Sequence, residues 1–175
     1  MRSTLCLGLI AAALAGAVLA QDDAGQRWPV PGVTAPVTEL ALELYVTIAP
    51  AVVVGQSDHG TRQFIPITGG RFSGANSLKG EVMAGGADWQ LRRPDGVTEV
   101  KAIYSIKTGD GAVIEVDNQG IIVPAAADGG RYVRTNVRFH APQGPHEWLN
   151  KASFVGTITP SPQGGAVIIR AFKVL

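Results

Sequence analysis

The chain has 175 residues, 15 of them basic and 14 acidic, with a single cysteine. A near-neutral chain with no basic stripe speaks against a nucleic-acid surface, and one cysteine excludes an internal disulfide or a zinc–thiolate cluster. The length suits one domain around one core.

The chain opens on a targeting signature. Arg2 gives a positive start, and Leu5 to Leu19 is an apolar or small-residue run. Val18-Leu19-Ala20 suits a signal peptidase, and Gln21-Asp22-Asp23 turns abruptly polar. That order predicts a cleavable secretory signal over 1–20 and a secreted or periplasmic location. The run falls short of the ~20 apolar residues that a span needs. No later stretch reaches that length, so no membrane span is expected after cleavage. Cys6 precedes most of the apolar run, which rules against a lipoprotein signal and removes the only thiol with the leader. Loss of Arg2 leaves 14 charges of each sign, and cleavage leaves 155 residues. A chain of that size buries roughly 70% of its unfolded surface without staples.

Residues 21–36 carry Pro29, Pro31, Pro36, Gly25 and Gly32 with little periodicity, and predict an extended arm. Trp28 is its one apolar anchor. From 37 to 175 the signals are those of strands. Leu40, Leu42, Leu44, Val46 and Ile48 alternate with Glu39, Ala41, Glu43, Tyr45 and Thr47, a period of two. Val52 to Val54 follows Pro50 and stops at Gly55. Thr61 to Thr68 is closed by Gly69-Gly70, and Arg71-Phe72-Ser73 leads to Gly74. Leu78 to Met83 ends at Gly85-Gly86, and Ala87 to Arg93 ends at the turn Pro94-Asp95-Gly96. Val97 to Thr108 places Val100, Ala102, Tyr104 and Ile106 on one side. Asp110-Gly111 is a strong hairpin signal. Ala112 to Asp117 and Ile121 to Val123 flank a turn at Asn118-Gln119-Gly120. Pro145 to Lys151 predicts one helical turn. Arg131 to Phe139 and Ala166 to Leu175 complete the set.

Turn residues recur every 8–12 residues or so, the spacing of an all-β sandwich or barrel with about nine or ten strands. A single closed or nearly closed antiparallel β-barrel is the preferred architecture. Closure removes exposed sheet edges, and frequent glycines suit the bends that closing a small barrel requires.

One stretch is more specific. Ile65 to Gly74 reads Ile-Pro-Ile-Thr-Gly-Gly-Arg-Phe-Ser-Gly, followed by Leu78-Lys79-Gly80-Glu81-Val82 and Gly85-Gly86-Ala87-Asp88-Trp89-Gln90. Downstream stand Asp95-Gly96, Asp110-Gly111, Asn118 with Gly120, Arg134-Thr135 and Trp148-Leu149-Asn150. From about Leu40 to Val174 this order resembles domain-of-unknown-function family 3237, the UPF 0311 proteins. The resemblance implies a compact antiparallel β-barrel and no particular reaction. The leader and arm depart from the family's usual short form.

Candidate chemistry centres on Asp88, Trp89 and Gln90. On a strand, Asp88 and Gln90 point one way and Trp89 with Leu91 the other. If Asp88 faces a cavity, its carboxylate needs a partner, for which Arg71 and Arg134 are the candidates. It would then hold a polar ligand head or act as a general base. Alternatively Asp88 caps the turn after Gly85-Gly86 and Trp89 is core. Trp148 walls a pocket or plugs a barrel end, and Asn150 binds a ligand carbonyl or satisfies backbone groups there. Tyr104 is expected inward, its hydroxyl seeking a partner. His59, His140 and His146 lack metal-site spacing, so no metal is expected. The glycine pairs lack the lysine-serine or lysine-threonine ending of a phosphate loop, and no cofactor is expected.

Three functions follow from this reading. The first is a binding module whose barrel takes a small, mostly apolar molecule through Asp88, Trp89, Gln90, Arg71, Arg134, Trp148 and Asn150. The second is a cofactor-free acid–base enzyme (an isomerase, cyclase or lyase) with Asp88 as base and Arg71 or Arg134 steadying negative charge. The third is an envelope structural or partner-binding protein that docks through the Trp28 arm.

Overall fold

Alternating strands separated by glycine-bearing turns can close only if the strands of the ring find two neighbours each, and here all ten strands but the second do. The computed structural model describes residues 34–125 and 129–175. The expected signal, Trp28 and residues 21–33 of the expected arm lie outside the described residues. In chain order the strands are β1 (Thr38–Ile48), β2 (Val52–Ser57), β3 (Gly60–Gly74), β4 (Lys79–Val82) and β5 (Ala87–Arg92). They continue as β6 (Thr98–Thr108), β7 (Val113–Val123), β8 (Tyr132–His140), β9 (Phe154–Pro160) and β10 (Ala166–Val174). The pairings are antiparallel throughout.

The ring runs β1–β10–β9–β8–β7–β6, passes through β4 and β5, and returns through β3 to β1. β4 and β5 share one position. β5 pairs with the first half of β3 and the start of β6, while β4 pairs with the second half of β3 and the end of β6. β1 and β2 divide the other side of β3 in the same way. The result is a closed barrel of eight positions built from ten strands.

Two glycine clusters read as turns are instead inside strands. Gly69-Gly70 lies within β3, where both residues have φ near +140°, a region that only glycine enters without strain. The β1–β3 register slips beside it, between Thr47 and Ile48. Gly70 also lets the strands touch, since a Cβ there would lie 2.0 Å from the Tyr45 carbonyl oxygen. The pair thus continues β3 next to a bulge whose extra residue is Thr68, and is not a terminator. Asn118-Gln119-Gly120 lies within β7. A Cβ on Gly120 would lie 2.2 Å from the Arg134 carbonyl oxygen, so this glycine serves the close approach of β8. The sequence reading marks no strand over β9, where Gly156 interrupts the apolar residues. That glycine too is required by β8, whose Thr135 hydroxyl would be 2.3 Å from a Cβ at 156.

One end of the barrel is solid. Leu42, Leu44, Phe72, Ile106, Ile114 and Phe139 are buried in its core. The single 3₁₀ turn, Glu147–Lys151, falls where the sequence predicts a helical turn. It places Leu149, 1% exposed, in that core. Trp148 packs on Phe154, ring centroids 6.2 Å apart, and Phe154 meets Phe139 edge-on at 5.0 Å. His146 Nε2 lies 2.9 Å from Asp110 Oδ2, tying this cap to the β6–β7 turn. Thr108 donates to the same carboxylate, and these bonds, Thr108 first and then His146, hold Asp110 below the usual carboxylate range.

Substitution tests the bend in β3. Gly70→Ala combines a backbone clash with a disfavoured φ and is expected to cost about 2–4 kcal/mol in denaturant unfolding. Gly130→Ala, where the added Cβ meets nothing within 4 Å, is expected to stay within about 0.5 kcal/mol of wild type.

Candidate binding cavity

An eight-position barrel is just wide enough to be filled by side chains or to hold one small ligand. This barrel does each at a different end. Opposite the solid end, a cavity of about 480 Å³ occupies the lumen. One wall, from β1, β9 and β10, is mostly apolar, with Val46, Ile158, Val167 and Ile169 beside Thr157 and Thr159. The facing wall, from β5, β6 and β7, carries Asp88, Gln90, Tyr104 and Asn118. Arg131 and Arg134 contribute to the lining from β8 and the residue before it, and both are exposed.

Strand register explains the polar cluster. Asp88 stands directly opposite Ala102, and Ala102 opposite Asn118. All three therefore share the inner face, and the two polar residues sit two strands apart, about 10 Å between backbones. Only a methyl group stands between them. Tyr104 is the next inward residue of β6, and Gln90 the next of β5.

Asp88 is held by two donors. Gln90 Nε2 donates to its Oδ2 at 2.5 Å, and the Lys101 backbone N–H donates to its Oδ1 at 3.2 Å. Gln63 Nε2 in turn donates to Gln90 Oε1 at 2.7 Å, which orients the amide toward the carboxylate. Burial pushes the Asp88 carboxyl above its usual range, and the Gln90 and Lys101 hydrogen bonds pull only part of the way back. The Tyr104 hydroxyl is driven well above the usual phenol range, first by burial and then by the nearby Asp88 charge, so it stays protonated. Tyr104 is 3% and Asn118 1% exposed. Among the described residues, neither the Tyr104 hydroxyl nor either polar atom of the Asn118 amide has a hydrogen-bond partner.

The residues singled out in the sequence divide between the cavity and the outer surface. Asp88, Gln90 and Arg134 line the lumen. Asp88 is not a turn cap. Its carboxylate is met by Gln90 and Lys101, not by Arg71 or Arg134. Arg71 points outward, its guanidinium 4.6 Å from the centroid of the Tyr45 ring. Arg134 donates to the Val133 carbonyl at 2.7 Å and lies over Tyr132. Trp89 is neither ligand-facing nor core. It alternates outward from Asp88, is 52% exposed and stacks on Phe64 at 4.8 Å. Trp148 and Asn150 belong to the solid end. Asn150 Nδ2 donates to the Ala141 carbonyl, and its Oδ1 accepts from the Ala141 N–H, both at 2.8 Å. Asn118 was missed as a site residue, because Asn-x-Gly reads as a turn. The signal that finds it is register: Tyr104, Ala102 and Val100 face inward on β6, and counting across the Asp110-Gly111 hairpin puts Asn118 beside Ala102.

Comparison with known proteins follows the same outline. A family model described as a protein of unknown function, DUF3237, matches residues 36–174. A UPF0311 protein of Clostridium acetobutylicum is 34% identical over 149 residues, 78% of this chain and 92% of that protein. A protein of Penicillium herquei named a hydroalkoxylation enzyme is 32% identical over 124 residues, 71% of this chain and 75% of that protein. The crystal structure of a β-barrel-like protein from Acinetobacter baumannii superposes with a TM-score of 0.75 at 29% identity, over 83% of this chain and 100% of that one.

The Asp88 environment sets a pH signature. Below its ordinary value of 3.8, the carboxyl is protonated in both the folded and unfolded chain. Between that value and the raised one, the folded chain holds a proton that the unfolded chain has lost, so stability falls as pH rises. Above both, the penalty is constant. Asp88→Asn lacks this titration. The stability of the variant relative to wild type is expected to climb across that window and to be flat on either side. Denaturant unfolding from about pH 3 to about pH 8 measures it, and a difference that does not vary with pH contradicts the buried placement.

Proposed function

The chain belongs to the DUF3237 family of proteins of unknown function, and from that footing we propose that its barrel is a receptacle for one small, mostly apolar organic molecule. The observation that carries this reading is the half-hollow lumen. Its cavity of about 480 Å³ falls within the roughly 300–1,000 Å³ of small-molecule sites. It also has the usual chemistry of such sites: apolar walls and a few convergent polar groups. A barrel meant only for stability gains more from filling that space, because each buried CH₂ is worth about 0.8 kcal/mol.

Ala102 makes the test direct, since its methyl group leaves the floor of the polar wall open. Ala102→Phe is expected to fill the lumen and weaken binding of 2-naphthol, read by calorimetric titration, about tenfold or more. Equal binding by wild type and variant, or none by wild type, would overturn the proposal. Mass spectrometry of small molecules that co-purify with wild type but not with the variant extends the same comparison to natural ligands.

A second reading is favoured by the raised Asp88 carboxyl and the Penicillium herquei relative. Hydroalkoxylation adds an O–H across a carbon–carbon double bond. One C–O bond and one C–H bond form, the O–H and the π bond are lost, and no electrons are exchanged with a partner. Such an addition needs a group that delivers a proton to carbon and takes one from oxygen. A carboxyl whose proton affinity burial raises suits that exchange, and Arg134 at the lining suits charge that develops on oxygen. On this reading, Asp88→Asn is expected to lower turnover of an unsaturated alcohol or phenol at least a hundredfold while leaving 2-naphthol binding within about threefold. Equal turnover by wild type and Asp88→Asn removes Asp88 from the chemistry.

A further inference from the structure

The polar atoms left without partners inside the cavity specify more than a mostly apolar guest. A buried amide with no partner forfeits hydrogen bonds that it makes freely in water, and native interiors keep such groups for a reason. Asn118 is not at an edge or a turn where solvent reaches it. It lies in the middle of β7, between Ala102 of β6 and Val137 of β8, with its side chain lining the lumen. Both of its polar atoms are unpartnered among the described residues, as is the Tyr104 hydroxyl one inward position away on the adjacent strand. The two residues on its own strand that share its face, Val116 and Gly120, offer it nothing.

We infer that the lumen is built for a ring-bearing molecule that presents a hydrogen-bond acceptor and a donor side by side on one edge, read by the Asn118 amide with Tyr104 as a second donor. This rests on the reading of the barrel as a receptacle and adds the polarity pattern of the guest. A carboxamide carries one N–H side and one C=O side, so its complement is an edge of opposite order. A lactam has that edge, as does a neutral carboxylic acid. A carboxylate does not, because it has no donor for Asn118 Oδ1. The Tyr104 hydroxyl donates to the guest's acceptor, which therefore receives two hydrogen bonds. Asp88 is already engaged on both oxygens by Gln90 and Lys101, so the pairing falls to Asn118. The apolar wall of Val46, Ile158, Val167 and Ile169 faces this cluster across the lumen. It fixes the guest with its polar edge toward β6 and β7 and its ring toward β1, β9 and β10.

The test uses three bicyclic probes of nearly equal size: 2-quinolone with acceptor and donor, quinoline with the acceptor alone, and naphthalene with neither. Binding to the purified protein is measured by competition against 2-naphthol. 2-Quinolone is expected to bind at least tenfold more tightly than naphthalene, with quinoline between them. In Asn118→Leu, which keeps the branched shape and the number of side-chain heavy atoms, the preference is expected to collapse to within about twofold while naphthalene still binds. Tyr104→Phe serves as a second variant, should the first fail to fold, and is expected to weaken 2-quinolone and quinoline alike without affecting naphthalene. Equal affinity of wild type for all three probes overturns the inference and leaves the receptacle standing. Binding of none of them removes the receptacle itself. A 2-quinolone preference that survives in both variants assigns the selectivity to other groups and overturns the inference as well.

Discussion

The architecture depends on one strand serving two sets of neighbours. β3 pairs on one side with β2 and then β1, and on the other with β5 and then β4. A straight strand of 15 residues would run roughly 50 Å and leave the ring before it closed. The bulge at Thr68, followed by Gly69-Gly70, lies where β3 passes from β5 on one side to β4, and on the other from β2 to β1. At Gly70 a side chain would meet both a disfavoured φ and the Tyr45 carbonyl, so β1 and β3 come together there where only a hydrogen atom stands between them.

Closure creates a lumen whose two ends are treated differently. Large side chains from β1, β3, β6, β7 and β8 interdigitate under Leu149 and Trp148 and supply the hydrophobic free energy of the fold. Above them, β5–β7 turn Asp88, Gln90, Ala102, Tyr104 and Asn118 into the lumen beside the apolar Val100 and Ile122. The packed half provides the rigidity that a preformed site needs, and the open half spends some of that stability. An unpartnered buried polar group costs about 1–3 kcal/mol, and the polar wall carries several such atoms. A cavity that was only a packing defect would be apolar. This one gathers Asp88, Gln90, Tyr104 and Asn118 on neighbouring strands of the lumen.

Asp88 shows how the two halves meet chemically. Burial raises the proton affinity of its carboxyl. Gln63 and Gln90 orient it without neutralising it. The neutral relay holds the carboxyl by hydrogen bonds from Gln90 and Lys101 rather than in an arginine ion pair. The two arginines that line the cavity stay exposed, and the third, Arg71, is spent on the outer surface against Tyr45.

Much of this was legible from residue order alone. Period-two alternation on β1 and β6 identified strands, Asp110-Gly111 and Pro94-Asp95-Gly96 identified true turns, and alternation put Asp88 and Gln90 on the face opposite Trp89. Those features are local: they depend on the pleat and on backbone conformations that glycine and proline favour. The inside could not be read in the same way. Trp89 and Phe64 are apolar yet face solvent, while Asp88 and Asn118 are polar yet face the lumen, so hydrophobicity alone assigns those strands to the wrong side. Gly69-Gly70 and Gly120 look like turns in one dimension and are sites of close strand contact in three. Tertiary closure alone decided which face is concave, which arginines reach it and which polar atoms are left without partners. The reason is that each of these depends on residues brought together by the ring from strands far apart in the chain.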